Sequence, residues 1–209
     1  MFKFSSNEIR DLTISFFVIS LAFAILYSRV NFSMIIYILP MVMIGVGSGF
    51  ILHEIAHKIT AMRYGYWAEY KTWPPGLFIA LISSFFGFIF AAPGAVHIYG
   101  SYMTDKENGI ISLFGPLTNI VLAMVFFLLY ILTMTSSIAG MIQNPEIIDI
   151  LILTFGLGFK INSFLALFNL IPFSILDGAK IFRWNPLIWL AIAALAGIMV
   201  FISFTGLPF

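Results

Sequence analysis

Long apolar segments separated by short polar turns dominate the chain. Each approaches the roughly 20 residues that a helix needs to cross the hydrocarbon core of a bilayer. The six segments cover residues 12–28, 34–57, 76–96, 110–134, 147–172 and 186–206. The pattern predicts an all-α polytopic membrane protein with about five to six transmembrane helices. We expect residues 1–209 to form a single domain, with a core at about 34–185 and flanking helices at 12–28 and 186–206.

The third apolar segment, 76–96, differs from the others because glycines and prolines punctuate it. They are Gly76, Gly87 and Gly94, with Pro74, Pro75 and Pro93. Non-helical backbone at membrane depth is tolerated where protein shields it or where it lines a wet cavity. We therefore expect five spanning helices and one re-entrant element after the second helix, for which a β-hairpin is one form.

The charges of the loops favour the same topology. If segment 76–96 enters and leaves on one side, Lys58, Lys106 and Lys180 all lie on the side of Lys3. The loop 135–147, which has no Lys or Arg, then lies on the opposite side. Since cytoplasmic loops carry the excess of Lys and Arg, we expect a multi-pass protein of the cell membrane whose Lys-rich end is cytoplasmic.

Composition narrows the partners and the chemistry. The chain is 61% hydrophobic and 9% charged, whereas a soluble domain has about 25% charged residues. Its main solvent is therefore the lipid bilayer. The net charge of +1 gives no reason to expect a nucleic acid partner. The absence of cysteine excludes thiolate ligands, so any transition metal must be held by His, Asp or Glu.

A His-Glu-x-x-His pattern, residues 53–57, ends the second apolar segment. Residues four apart share a helix face, so His53 and His57 can present two imidazoles to one metal ion. Glu54 lies beside them, in reach of a metal-bound water rather than of the metal. A catalytic zinc ion takes three protein ligands and keeps one position for water. The pattern thus predicts a hydrolytic zinc site with Glu54 as the base.

A third ligand is required, and Asp177 is the best candidate. The full set of candidates is His97, Asp105, Glu107, Glu146, Asp149 and Asp177. Pro172 ends regular helical hydrogen bonding, and Gly178 permits unusual backbone angles. Asp177 can therefore turn inward from a broken helix end. It lies on the same side of the membrane as His57 only if segment 76–96 is re-entrant, which is the topology that the charges favour.

Three motifs follow one another along the chain. The first is the His-Glu-x-x-His pattern at 53–57. The second is a Gly-x-x-x-Asn pattern at 115–119, and the third runs from Asn169 and Pro172 to Asp177-Gly178. In this order they resemble the motifs of the site-2 protease family of intramembrane zinc metalloproteases, and the resemblance covers about residues 34–185.

The resemblance implies a function and a set of roles. One Zn²⁺ per chain would be held by His53, His57 and Asp177, with Glu54 as the general base. Asn169 would bind substrate or stabilise the oxyanion. The expected reaction is hydrolysis of peptide bonds within or near transmembrane segments of other membrane proteins, as in regulated intramembrane proteolysis. The implied core is three helices and a re-entrant hairpin.

Two further roles stay open. Asn119 either supports the metal site from behind, binds a neighbouring helix, or shares the substrate or oxyanion role. The run Phe85 to Ala92 is β-prone and punctuated by glycine. We expect it to offer a strand edge that pairs with an unwound substrate segment.

Two alternative functions remain. The first is a zinc-binding membrane scaffold without proteolytic activity, which Glu54 disfavours because a structural metal site needs no base. The second is a prenyl-protein-type membrane metalloprotease, whose third ligand would be a Glu or His from a later helix. No Glu follows Glu146 and no His follows His97 in this chain, which disfavours that class.

Overall fold

The computed structural model describes residues 3–90, 92–100, 102–135, 140, 142, 144–173 and 175–205. Its helices are α1 (Ser6–Ser28), α2 (Phe32–Val46), α3 (Leu52–Arg63), α4 (Pro74–Phe85), α5 (Asp105–Met134), α6 (Pro145–Asn169), α7 (Asp177–Trp184) and α8 (Pro186–Thr205). A π-helical turn, Gly47–Ile51, joins α2 to α3. Two strands, β1 (Trp67–Thr72) and β2 (Gly94–Tyr99), complete the described elements.

Five helical runs are long and apolar enough to cross a membrane. They are α1, the continuous run Phe32–Arg63, α5, α6 and α8. This confirms the expected all-α polytopic fold. Polar caps set where the helices begin. The Ser5 side chain accepts from the Glu8 amide at the start of α1, and Thr104 and Glu107 form a capping box at the start of α5.

The third apolar segment is re-entrant, as predicted. Strands β1 and β2 pair antiparallel, with Thr72 opposite Gly94. The Trp73 amide donates to the Pro93 carbonyl at 2.7 Å, so the chain leaves the sheet at one point and returns beside it. Between these points it forms the short helix α4. The element is therefore a helix enclosed by two strands rather than a simple hairpin.

The predicted strand at Phe85–Ala92 is wrong. Phe85 ends α4, Gly87 has a positive φ of 84° in the turn that follows, and the other described residues of this run are irregular. Ala91 lies outside the described residues. The strand begins only at Gly94, because the chain must first return from the end of α4 before it can pair with β1.

Helix α6 lies at the centre of the molecule. One of its faces joins α1, α2 and α4 in an apolar cluster, and the opposite side packs with α5 and α8 in a second cluster. Close approach depends on glycine where α2 meets α6. A β-carbon at Gly45 would lie 3.2 Å from the Gly158 α-carbon. Small residues of this kind allow membrane helices to approach closely.

The position of one charged residue, Lys58, differs from the position that the sequence indicated. Lys58 is not a loop cation, because it lies inside α3 with 1% of its surface exposed and forms an ion pair with the equally buried Glu8. The pair joins the start of α1 to α3. In the loop 135–147, expected on the opposite side, residues 136–139, 141 and 143 lie outside the described residues.

Candidate metal centre

Two helices meet to form the site. The π-helical turn leads directly into α3, which carries His53, Glu54 and His57 on its first turns. Asp177 is the first residue of α7, where the chain resumes a helix after the break that follows α6. Helix α5 packs against both α3 and α7 and so holds the two elements together.

The structure brings His53, His57 and Asp177 together, and all three side chains are buried. The two Nε2 atoms lie 3.0 Å apart. Asp177 Oδ2 lies 3.0 Å from His57 Nε2 and 3.3 Å from His53 Nε2. Tetrahedral ligand atoms about 2.0–2.1 Å from a zinc ion would be roughly 3.3 Å apart. The three donor atoms therefore fit one such ion.

The hydrogen bonds of the two Nδ1 atoms explain why the Nε2 atoms of His53 and His57 carry lone pairs. His57 Nδ1 lies 2.8 Å from the Ile111 carbonyl, which can only accept a hydrogen bond. His53 Nδ1 lies 2.6 Å from Asn119 Oδ1. Both rings thus donate through Nδ1, and in the neutral state both Nε2 atoms present lone pairs to each other and to a carboxylate. A cation between them removes this repulsion, and this tautomer is the one that metal-binding histidines use.

The surroundings of the Asp177 carboxyl group favour its ionised form. Burial alone would raise its pKa, but the adjacent rings of His57 and His53 and the Lys180 ammonium hold the pKa of Asp177 well below its usual range. Lys180 Nζ lies 3.5 Å from Oδ1, so Oδ2 remains directed at the two imidazoles. The site therefore offers two imidazole nitrogens and one carboxylate oxygen, a donor set typical of catalytic zinc.

Comparison with known proteins identifies a relative of this chain. The chain is 44% identical over 206 residues to a protein of Methanocaldococcus jannaschii named "putative zinc metalloprotease", and the match covers 98% of each sequence. The chain belongs to this zinc metalloprotease family. No family model and no solved structure matches the sequence. The family and the buried His53, His57 and Asp177 group together make zinc the cofactor.

Glu54 of the metalloprotease lies beside the metal group and is buried. Within the described part of the chain, its Oε2 atom has no hydrogen-bond partner. Buried polar atoms are seldom left unpaired, so this oxygen faces a place where a water or a substrate group belongs. The backbone amide of Val96, in β2, faces the same carboxylate and links the sheet to the site.

A cavity of about 110 Å³ opens at the metal group. Residues from β2 and from the segment before it form one wall, and Lys180 lies at its edge. Asn169 lines the cavity, and its Nδ2 donates to the Leu165 carbonyl at 2.9 Å. Asn119 instead lies behind His53, is completely buried and is not part of the cavity wall. Its position suits support of the ring rather than contact with a substrate.

The other candidates for a third ligand lie away from the metal group. His97 is on the exposed face of β2, opposite Glu69 of β1. The Glu107 carboxylate accepts from the Thr104 amide at the start of α5, and Asp105 is exposed beside it. Glu146 begins α6 at the far end of that helix from Asn169. Asp149, one turn further along α6, is exposed as well.

Sequence reasoning missed two contributors, Val96 and Asn162. Asn162 is completely buried and bonds to Asn119. A polar amide within an apolar segment was a signal that could have identified it. No signal in the sequence identified Val96, because its backbone amide rather than its side chain faces Glu54.

Proposed function

We propose that this metalloprotease cleaves peptide bonds within or near the transmembrane segments of other membrane proteins, as the resemblance to the site-2 proteases implies. The observation that carries the proposal is a Glu54 oxygen beside the metal group that no described residue bonds, inside a helix that is long enough to span a membrane. His53 lies roughly 15 Å from the end of α3 at Arg63, at 1.5 Å per residue. A substrate must therefore reach this depth.

The residues divide the chemical work. His53, His57 and Asp177 would hold the zinc ion, which would supply Lewis-acid activation of water and of the scissile carbonyl. Glu54 accepts the proton of the attacking water and delivers it to the leaving amine. Asn169, in the cavity wall, is positioned to bind the substrate backbone.

Strand β2 supports a way for the substrate to bind. Glu8 accepts from the Tyr70 amide at 3.1 Å, and Asp11 accepts from the Thr72 amide at 3.2 Å. These amides of β1 thus point away from β2. Inward and outward pairs alternate along an antiparallel ladder. The amides of the residues opposite them in β2, Val96 and Gly94, therefore also point outward, at the other edge of the sheet. That edge faces the cavity, where an unwound substrate segment can add as a strand.

The orientation in the membrane is part of the proposal. The start of α1, the end of α3, the start of α5 and the helix α7 lie at the end of the molecule that carries the metal group. Lys3, Arg10, Arg63, Lys71, Lys106, Lys180 and Arg183 belong to this end, and Arg29 lies at the other. The excess of positive charge favours a cytoplasmic location for the metal end in the cell membrane.

The decisive experiment compares the wild type with Glu54→Gln on a transmembrane substrate in liposomes and on a water-soluble peptide. The wild type should cleave the transmembrane substrate in preference to the soluble peptide. Glu54→Gln should bind one zinc ion and lose at least about 100-fold in cleavage rate, because the proton acceptor is gone. Glu146→Gln, exposed at the other end of the molecule, is the matched control.

Each other outcome has a distinct meaning. Equal cleavage by Glu54→Gln would exclude the proposed base. Zinc binding by the wild type without cleavage of either substrate would favour the scaffold alternative. A prenylated peptide is tested as a third substrate, and cleavage restricted to it would favour the prenyl-protein type. Preference for the soluble peptide would exclude the intramembrane substrate.

A further inference from the structure

A chain of buried amides connects the His53 ring to the backbone of two helices. Asn119 Oδ1 faces His53 Nδ1 at 2.6 Å. Asn119 Nδ2 donates to the Gly49 carbonyl and to Asn162 Oδ1, both at 3.1 Å. Asn162 Nδ2 donates in turn to backbone carbonyls of α2 and α6. Asn119 and Asn162 are completely buried.

Backbone carbonyls determine the direction of this chain, that of Gly49 at Asn119 and two more at its far end. Asn162 Nδ2 lies 3.3 Å from the Gly45 carbonyl and 2.9 Å from the Gly158 carbonyl. Carbonyl oxygens only accept hydrogen bonds, so the Asn162 amide cannot reverse without placing its own oxygen against two others. Its Oδ1 must then face Asn119, which requires Nδ2 of Asn119 on that side. Asn119 Oδ1 is left to face His53.

We propose that Asn162 is a positioning residue that selects the His53 tautomer. Together with the Gly49 carbonyl, it fixes the Asn119 amide and so keeps the proton of the neutral ring on Nδ1 and the lone pair on Nε2, directed at His57 and Asp177. This inference rests on the proposed role of His53 as a zinc ligand. Asn162 itself touches neither the metal group nor the cavity, so its influence passes through Asn119.

The local backbone is built for this contact. A β-carbon at Gly49, within the π-helical turn, would lie 2.8 Å from Asn162 Oδ1, so any larger residue would displace the amide. The approach of Gly45 to Gly158 brings the two acceptor carbonyls to the same Nδ2 atom. Turns of π-helix occur frequently at functional sites, and this one delivers the Gly49 carbonyl to Asn119.

His57 provides an internal reference. Its Nδ1 proton is directed by the Ile111 carbonyl of α5, so its tautomer does not depend on Asn162. The protein contains three histidines, and His97 lies on the exposed face of β2. Selective ¹⁵N-histidine labelling of the full chain therefore yields three ring systems, one of which tests the proposal while two serve as controls.

The test uses Asn162→Leu and Asn162→Ser. Serine is the more conservative change, because its hydroxyl can still bond to the Gly158 carbonyl but cannot reach Asn119. Both should weaken zinc binding about tenfold in a competition assay with a chromophoric chelator, at the low end of the effect of a residue that orients a ligand. With zinc removed, at a pH where the rings are neutral, ¹⁵N spectra should reveal a population of Nε2-protonated His53 in the variants that the wild type lacks, because the Gly49 carbonyl alone then holds the Asn119 amide.

Thr154→Val is the matched control. It removes a different buried polar group of α6, a hydroxyl that donates to the Ile150 carbonyl. It should leave zinc affinity and the His53 tautomer unchanged. Wild-type zinc affinity with an unchanged tautomer in Asn162→Ser would overturn the proposal, as would an equal loss in Thr154→Val. If the Asn162 variants change the His53 tautomer but the wild type cleaves no substrate, the positioning role of Asn162 is retained and the proposed function is refuted.

Discussion

At the scale of single residues, Gly115 is where space at the metal group is most limited. A β-carbon there would overlap His57 Nε2 and lie 2.6 Å from His53 Nε2. Gly115→Ala should therefore displace the rings, lower zinc affinity by at least about tenfold, and abolish cleavage. Zinc content after dialysis and the rate of substrate cleavage measure the two effects.

Gly197→Ala is the control for this prediction. Gly197 lies in α8, where an added β-carbon meets nothing within 4 Å, and alanine is the better helix former. This variant should keep full zinc content and activity. If Gly115→Ala behaved like Gly197→Ala, the ring positions described above would be wrong.

At the scale of elements, strand β2 provides a test of substrate pairing. The Ile98 amide points away from β1. Ile98 lies opposite Ala68, two residues along the ladder from the Tyr70–Val96 pair, and every second pair directs its amides outward as Tyr70 does. Ile98→Pro should preserve the sheet and zinc content, since proline is tolerated where the amide faces away from the ladder. It should raise KM for a transmembrane substrate about tenfold, through the loss of one outward donor.

Two variants separate this effect from others. Ile98→Ala removes the side chain but keeps the amide, and it should change KM less than Ile98→Pro does. His97→Pro removes an amide directed at β1 and should instead lower stability. An unchanged KM in Ile98→Pro would indicate that the substrate does not add to this edge.

A second element-scale prediction concerns how α1 is attached. Glu8 bonds both to the buried Lys58 and to the Tyr70 amide. Glu8→Gln leaves the Lys58 ammonium without that carboxylate and should lower the free energy of unfolding by about 3–5 kcal/mol, the usual cost of removing one partner of a buried ion pair. Denaturant unfolding in detergent measures the change.

Arg10→Gln serves as the control on the same helix. The Arg10 side chain is 64% exposed and pairs with Asp11 at the surface, where ion pairs contribute at most about 1 kcal/mol. Similar losses in Glu8→Gln and Arg10→Gln would mean that the Glu8–Lys58 pair is solvated rather than buried.

At the scale of the whole molecule, the orientation in the membrane can be measured directly. The chain has no cysteine, so a maleimide reagent can label only a cysteine that is introduced by substitution. Lys106→Cys and Arg183→Cys should react with a membrane-impermeant maleimide only from the cytoplasmic side. Arg29→Cys and Asn144→Cys should react only from the opposite side. Labelling of the first pair from outside would reverse the proposed orientation without changing the fold.

The five spanning helices and the pair of metal-directed histidines follow from local regularities. The helical repeat places His53 and His57 on one face whatever surrounds them, and runs of apolar residues identify spanning helices because the bilayer demands a minimum length. The re-entrant segment was also predictable from its prolines, its glycines and the loop cations Lys106 and Lys180, although Lys58 is buried in α3.

Only the tertiary structure decided which distant groups meet. The strand at Gly94–Tyr99, the burial of Lys58 against Glu8 and the bonds of Asn162 all depend on how separate segments pack, and no local pattern encodes that packing. Asp177 lies between these cases: topology placed it on the right side of the membrane, but its distance of 3.0 Å from His57 Nε2 results from α5 holding α3 and α7 together. The sequence by itself determined the donors and the spanning helices; packing determined the site.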